Sequence, residues 1–217
     1  MNIIGKMLDE LYRIFEIVNK EKFDGVLPTP VITIQKTKGK SLGHFTINRI
    51  WRNKNNIIDD NVEVDDNDTT AQYEININPV HFFEREAVEI VETLIHEMCH
   101  YWNKVKGIDD GNHNKKFKTI AEQVGLICER GQNAGYGYTS LSPELKDWVV
   151  NICKPNEECF KYYSANKSKI FTTTREKKIF KYTCPICGLV VKGKRDINVK
   201  CAECNELMEM EDEDEQQ

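Results

Sequence analysis

The sequence predicts an α+β fold in which a small β-sheet packs on helices, followed by a small cysteine-bound module. Three observations predict it. Short runs such as Val31-Ile32-Thr33-Ile34 and Tyr73-Glu74-Ile75-Asn76-Ile77-Asn78 have strand character and stand among longer segments with three- and four-residue apolar spacing. One of those helical segments, from about Glu84 to Lys106, carries His96-Glu97-Met98-Cys99-His100. Near the end, Cys184-Pro185-Ile186-Cys187 and Cys201-Ala202-Glu203-Cys204 are separated by thirteen residues. Residues 1–155 are read as the main domain, 156–180 as a basic linker, 181–206 as the cysteine module and 207–217 as an acidic, disordered tail.

From Met7 to about Lys20, the apolar positions Leu8, Leu11, Tyr12, Ile14, Phe15 and Val18 predict an amphipathic helix, stopped by Asp24-Gly25 and the prolines at 28 and 30. Val31–Ile34 is the first strand. A Lys/Gly turn at Thr37 to Lys40 leads to a second strand from Gly43 to Ile47 and on toward Trp51. Asn53 to Asp68, rich in Asn and Asp, reads as a solvated loop or hairpin tip without the spacing of a calcium loop. Tyr73 to Asn78 alternates apolar and polar residues, as expected of a strand that buries one face and, at an edge, could align a peptide beside the cleft. Pro79 ends it.

In the helical segment that follows, Val88, Val91, Leu94, Ile95, Met98 and Trp102 define one buried face. Gly107 suits its C-terminus, and Asp109-Asp110-Gly111-Asn112 reads as a turn. A further helix is expected to begin near His113, burying Phe117, Ile120, Ala121 and Val124. Gly131 to Thr139 reads as a flexible Gly/Tyr loop, and Ser142-Pro143 opens a short helix through Val150.

The i, i+4 spacing of His96 and His100 puts both imidazoles on one helix face, one turn apart, where they can share a zinc ion. Glu97, between them, is then a base and not a ligand. A catalytic zinc needs a third protein ligand. His113, Glu122 and Glu129 are the candidates. On one helix, His113 and Glu122 fall about half a turn out of phase, and Phe117 marks the packed face, which favours His113. Tyr136 or Tyr138 is a candidate donor to the transition state. His44 and His81 read as structural.

The two C-x-x-C pairs make a zinc ribbon, in which four thiolates close the coordination sphere and zinc holds structure. The remaining cysteines, Cys99, Cys128, Cys153 and Cys159, show no framework spacing and read as small buried hydrophobes in a reducing compartment. The net charge of −5 hides a segregation: eleven Lys/Arg against three acids between Lys161 and Cys204, then seven acids in the last thirteen residues. Arg175, Lys177, Lys178, Lys181, Lys192, Lys194 and Arg195, interleaved with Phe171, Phe180 and Tyr182, form a candidate nucleic-acid contact surface. No apolar run is long enough for a membrane span and no signal peptide is recognisable, so a cytoplasmic location without a membrane partner is expected.

Leu27-Pro28 before Val-Ile-Thr-Ile, the Tyr-Glu-Ile-Asn-Ile-Asn strand, His-Glu-Met-Cys-His and Gly111-Asn112-His113-Asn114-Lys115-Lys116-Phe117 together resemble the SprT-like zinc metalloproteases of the Spartan type. The resemblance covers roughly residues 8–150. It implies a zincin-like metalloprotease domain, His113 as third ligand of a catalytic zinc, and often a C-terminal zinc ribbon holding a second, structural zinc. It also implies protein substrates that are DNA-bound or DNA-crosslinked, with single-stranded or damaged DNA as partner. The chain has His-Asn-Lys-Lys where the family more commonly has His-Gly. Two other readings stand beside this one: a regulatory metallopeptidase with one protein substrate, and a nucleic-acid-binding protein with a vestigial peptidase domain.

Overall fold

The computed structural model describes residues 2–37, 41–52, 71–108, 111–131, 134–164, 180–194 and 196–211. The expected loop at Asn53 to Asp68 lies outside them. The chain divides into two compact units, Met1–Asn166 and Lys167–Gln217.

In the first unit, α1 (Ile3–Lys22) begins one turn earlier than its apolar spacing suggests, because Asn2 caps it by accepting the Gly5 N–H at 2.6 Å. It buries Met7, Leu11, Ile14, Phe15 and Val18. A three-stranded sheet follows, of β1 (Val31–Ile34), β2 (Gly43–Trp51) and β3 (Gln72–Ile77), in the order β1-β3-β2. β1 runs parallel to β3, and β2 antiparallel to it. The β3 strand, expected at an edge, is therefore central. Its polar residues are satisfied within the fold: Glu74 accepts from Trp51 and Thr33, and Asn76 bonds both backbone groups of Gln35. The edge beside the cleft is β2.

A 3-10 turn at Pro79–Glu84 leads into α2 (Ala87–Val105), which is buried on most of its circumference, including Ile90, Val91, Leu94, Ile95 and Met98. A helix so enclosed is the spine of its domain. Two carboxylates dress its N-terminus: Glu89 accepts the Glu86 N–H at 2.8 Å, and Glu157, seventy residues on, accepts the Ala87 N–H at 3.1 Å. The α3 helix (Lys115–Val124) starts after His113 with Asn114 as its cap, and the left-handed Gly125 ends it.

The expected flexible loop at Gly131 to Thr139 is instead part of a hairpin, β4 (Leu126–Gly131) with β5 (Gly135–Leu141). Its glycines allow close approach to a neighbouring loop, a use that composition alone does not distinguish from flexibility. Next, α4 (Pro143–Trp148), capped by Ser142, passes into a π-helical turn over Val149–Cys153. The first part of the expected linker belongs to this unit. Asn156 donates its N–H to Glu10 at 2.8 Å, Phe160 packs edge-on against Phe82, and the Ser164 N–H reaches the Pro79 carbonyl at 3.0 Å. Of the scattered cysteines, Cys99 and Cys153 are buried, and Cys128 and Cys159 partly so.

The second unit is a sheet of β6 (Phe180–Thr183), β7 (Val190–Gly193) and β8 (Glu209–Glu211) in the order β7-β6-β8. β8 lies inside the stretch expected as a disordered tail. Met208 and Met210 join the small core around Tyr182, Cys184 and Cys201, which gives the strand a reason to pair; residues 212–217 lie outside the described segments. Among the described residues, no helix is long and apolar enough to cross a membrane.

Candidate metal centres and the cleft

Two elements converge on one point. The α2 helix presents His96 and His100, and the loop before α3 presents His113. The Nε2 atom of His113 lies 3.0 Å from Nε2 of His96 and 3.0 Å from Nε2 of His100. Ligands of a tetrahedral zinc at ~2.0–2.1 Å would sit about 3.3 Å apart, so the three nitrogens are placed to share one ion. Burial, then mutual repulsion, holds His96 well below the usual imidazole range, and burial pushes His100 down to about 3. Both are thus neutral imidazoles, the form that ligates metal. Phe117 forms the apolar floor beneath all three rings, stacked on His100 at 4.4 Å between centroids.

His113, in the loop before α3, is fixed by the β5 strand. Its carbonyl accepts the Tyr136 N–H at 2.9 Å, and Gly137 passes so close that a Cβ there would lie 2.8 Å from His113 Nδ1. His96 Nδ1 lies 3.0 Å from Thr139 Oγ1; with Nε2 turned to a metal, Nδ1 carries the hydrogen and donates it to the hydroxyl. The rival ligands lie elsewhere. Glu122 pairs with Lys118 at 3.4 Å, Glu129 is exposed on β4, and neither belongs to the histidine cluster.

Glu97 is buried beside the histidines, and burial raises its carboxyl to about 8 although the Phe45 N–H donates to it. Gly43 on β2 lies against it: a Cβ there would come within 2.8 Å of Thr93 Cγ2 and 3.0 Å of Glu97 Oε1. Asn78 sets this wall of the cleft, its side chain donating to the Ser41 carbonyl and Thr37 hydroxyl and its N–H to the Leu42 carbonyl. The result is a cleft of about 540 Å³, walled by Ser41–Phe45 on one side and by Glu92, Thr93, His96, Glu97 and His100 on the other.

His44, read from the sequence as structural, lines the cleft, as does Tyr138, which is 62% exposed. Tyr136 packs against the core with Lys118 over its ring. Sequence reasoning missed Thr139, Gly43, Gly137 and Glu92. Only Glu92 left a signal: it stands one turn before His96.

In the second unit, the thiols of Cys184, Cys187, Cys201 and Cys204 lie within 4.8 Å of one another, with 3.7 Å between the sulfurs of Cys187 and Cys201. Four sulfurs at ~2.3 Å from a zinc would stand about 3.8 Å apart. The two loops are alike. Gly188 N–H bonds the Cys184 carbonyl and Asn205 N–H the Cys201 carbonyl, both from left-handed backbone. Backbone N–H groups, Cys187 first, bring the Cys184 thiol down to about 7.

Of the expected nucleic-acid contacts, Arg175, Lys177, Lys178 and Arg195 lie outside the described residues. Lys181 and Lys192 are exposed and directly opposite each other on β6 and β7, and Lys194 is exposed beyond them. The rings expected to accompany them point inward. Tyr182 is buried, donating its hydroxyl to the Lys194 carbonyl at 2.5 Å, and Phe180 packs on the same core; Phe171 is not among the described residues.

The chain is similar to a "Protein SprT-like" of Geobacillus kaustophilus (strain HTA426), 21% identical over 141 residues, which are 64% of this chain and 70% of that protein. No solved structure gives a significant match. The SprT-like family profile matches residues 11–136, more than half the chain, from the middle of α1 past His113 into β5; the protein belongs to the SprT-like family and carries its metallopeptidase-like domain.

Proposed function

We propose that this protein is a zinc-dependent endopeptidase of the Spartan type that acts in the cytoplasm on DNA-bound or DNA-crosslinked proteins. The convergence of His96, His100 and His113 beside the buried Glu97, at the floor of an open cleft, carries this reading. Three imidazoles leave a coordination position open, which is the donor set of a zincin-like catalytic site. Zinc, when bound there, supplies Lewis acidity toward a peptide carbonyl and brings the pKa of a water toward ~7.

The protein's own residues supply the rest. Glu97 takes a proton from the attacking water and returns it to the leaving amine. Beside a bound cation the raised carboxyl of Glu97 would come down into the range of a working base. Thr139 holds the His96 ring in its tautomer. A substrate segment in extended form would add to the edge of β2, where Gly43 keeps the approach to Glu97 clear, and Tyr138 stands at the rim as the nearer of the two tyrosine donors.

The DNA part of the proposal is supported by the cross-strand pair of Lys181 and Lys192. With Lys194 exposed beyond them, these lysines offer cationic contacts to a phosphate backbone. The cysteine cluster would hold a second, structural zinc beneath that face.

The test is proteolysis of a basic DNA-binding protein with and without single-stranded DNA, by wild type and by Glu97→Gln. Cleavage that needs both DNA and Glu97 is expected, with a loss of at least ~10³-fold in the variant. Cleavage indifferent to DNA but dependent on Glu97 would replace the DNA-linked reading with a regulatory peptidase. Cleavage that survives Glu97→Gln would overturn the mechanism.

A further inference from the structure

The cleft face of α2 carries Glu92, Thr93, His96, Glu97 and His100, so Glu92 opens the stripe that continues into the metal-capable site. The role assigned to the histidines and Glu97 leaves this second carboxylate unexplained. Glu92 is half-buried in the cleft wall, yet no hydrogen bond or ion pair to it occurs among the described residues. It is not a helix cap, since it lies in the second turn of α2, beyond the first-turn N–H groups that Glu89 and Glu157 serve. Nor does it join the histidine cluster as a ligand.

Its nearest cation is committed elsewhere. The Arg85 guanidinium donates to Thr93 Oγ1 at 2.7 Å and to the Glu89 carbonyl. Arg85 therefore acts on Glu92 only through space and shares its charge with Glu89, so among the described residues the Glu92 carboxylate has no hydrogen-bonded counter-ion. The opposite wall brings no lysine or arginine to it: Ser41, Leu42 and Gly43 are uncharged, the His44 ring is turned to Thr46 Oγ1 at 3.2 Å, and no lysine or arginine lines the cleft among the described residues. Burial raises the Glu92 carboxyl to about 7 against the opposing pull of Arg85.

We propose that Glu92 forms a subsite for the cationic side chain of a lysine or arginine in the bound protein chain, within two residues of the bond that is cut. The distance follows from the helix. One turn separates Glu92 from His96, about 6 Å along the axis, and an extended substrate advances ~3.3 Å per residue. A lysine ammonium or arginine guanidinium on the adjacent substrate residues would reach the carboxylate, its aliphatic stem lying along Leu42 and Thr93. This inference rests on the peptidase reading and narrows its substrates to chains with a basic residue beside the cleavage point.

The experiment measures peptide binding, which needs no turnover. Full-length Glu97→Gln protein loaded with zinc is titrated against fluorescent peptides of one backbone, in which lysine, norleucine or glutamate is placed in turn at the two positions on either side of the central bond. At one position lysine should bind about tenfold tighter than norleucine, the worth of a hydrogen bond to a charged group. Adding Glu92→Gln should reduce that ratio to about twofold, and adding Glu92→Lys should favour the glutamate peptide; unchanged melting temperatures exclude a folding defect, and the isosteric Gln variant suffices if the Lys variant does not fold. A lysine preference that survives Glu92→Gln, or peptides that bind with no charge preference at any position, overturns the subsite and leaves the peptidase reading intact. If no peptide binds at all, the peptidase reading itself fails, and the subsite with it.

Discussion

The two metal-capable clusters of this protein are built in opposite ways. The histidines are gathered from a long helix and a loop, and are held by a core that includes Phe15, Phe23, Ile75, Leu94 and Phe117, together with a hairpin that contributes no ligand. The four cysteines sit on two short loops over a core of Tyr182, Cys184, Cys201 and Met208, two of whose members are themselves ligands. The first unit would keep its shape without an ion, and can leave one coordination position for chemistry. In the second, the ion would stand in for the missing core.

The largest expected effect breaks the comparison open. Removing metal from the full chain with a strong chelator should unfold residues 180–211 while leaving 2–164 folded. Zinc contributes ~10–16 kcal/mol to small thiolate modules, far more than so small an apolar core supplies. Hydrogen exchange read by peptide segment would show it: protection lost in β6 to β8 and retained in α2. Protection retained in both units would mean that the second unit folds on its own side chains.

A smaller effect sharpens the contrast on the histidine side. Thr139→Val removes the oxygen that accepts from His96 Nδ1 and leaves the fold almost unaltered. Metal affinity should fall ~10–100-fold at the histidines and remain unchanged at the cysteines, as two-site competition with a chromophoric chelator would resolve. An equal loss at both sites would show that Thr139 acts on something other than its histidine.

The smallest concerns the metal-free stability of the first unit. Glu10, bonded first of all by Arg13 and also by the Asn156 N–H, is held below the ordinary carboxylate value of 4.5. A carboxyl whose folded pKa is depressed gives stability that is complete above the unfolded pKa and disappears as the pH falls through the folded one. Denaturant midpoints measured from pH 6 to 3 should therefore fall more for wild type than for Glu10→Gln. The difference should be no more than ~1 kcal/mol, since Arg13 is 42% exposed and solvent screens the pair. Parallel curves would remove the pair from the account.

The same contrast explains what could be read from the residues in advance. The α2 helix, β1 and β3 were legible because each repeats its apolar residues at one period. The cysteine knuckles were legible because their whole geometry is local. The strand order was not, since pairing β2 rather than β1 beside the cleft is a matter of topology, and β3, although it alternates, is central. Gly131 to Thr139 reads as a flexible loop because glycines that admit a neighbouring backbone have the same composition as glycines that permit motion. Phe180 and Tyr182 looked like stacking platforms beside lysines, but a unit this small needs its rings inside.

The carboxylate of Glu157 on the first N–H of α2 has a consequence for how the molecule can be cut. The chain after the π-turn is a strap that binds Glu10, caps α2 and reaches the Pro79 carbonyl at Ser164 before it leaves the first unit. The seam at which one module could be exchanged for another, by recombination or by hand, therefore lies after Ser164. A shorter piece ending at 155 would part the motif helix from its own cap.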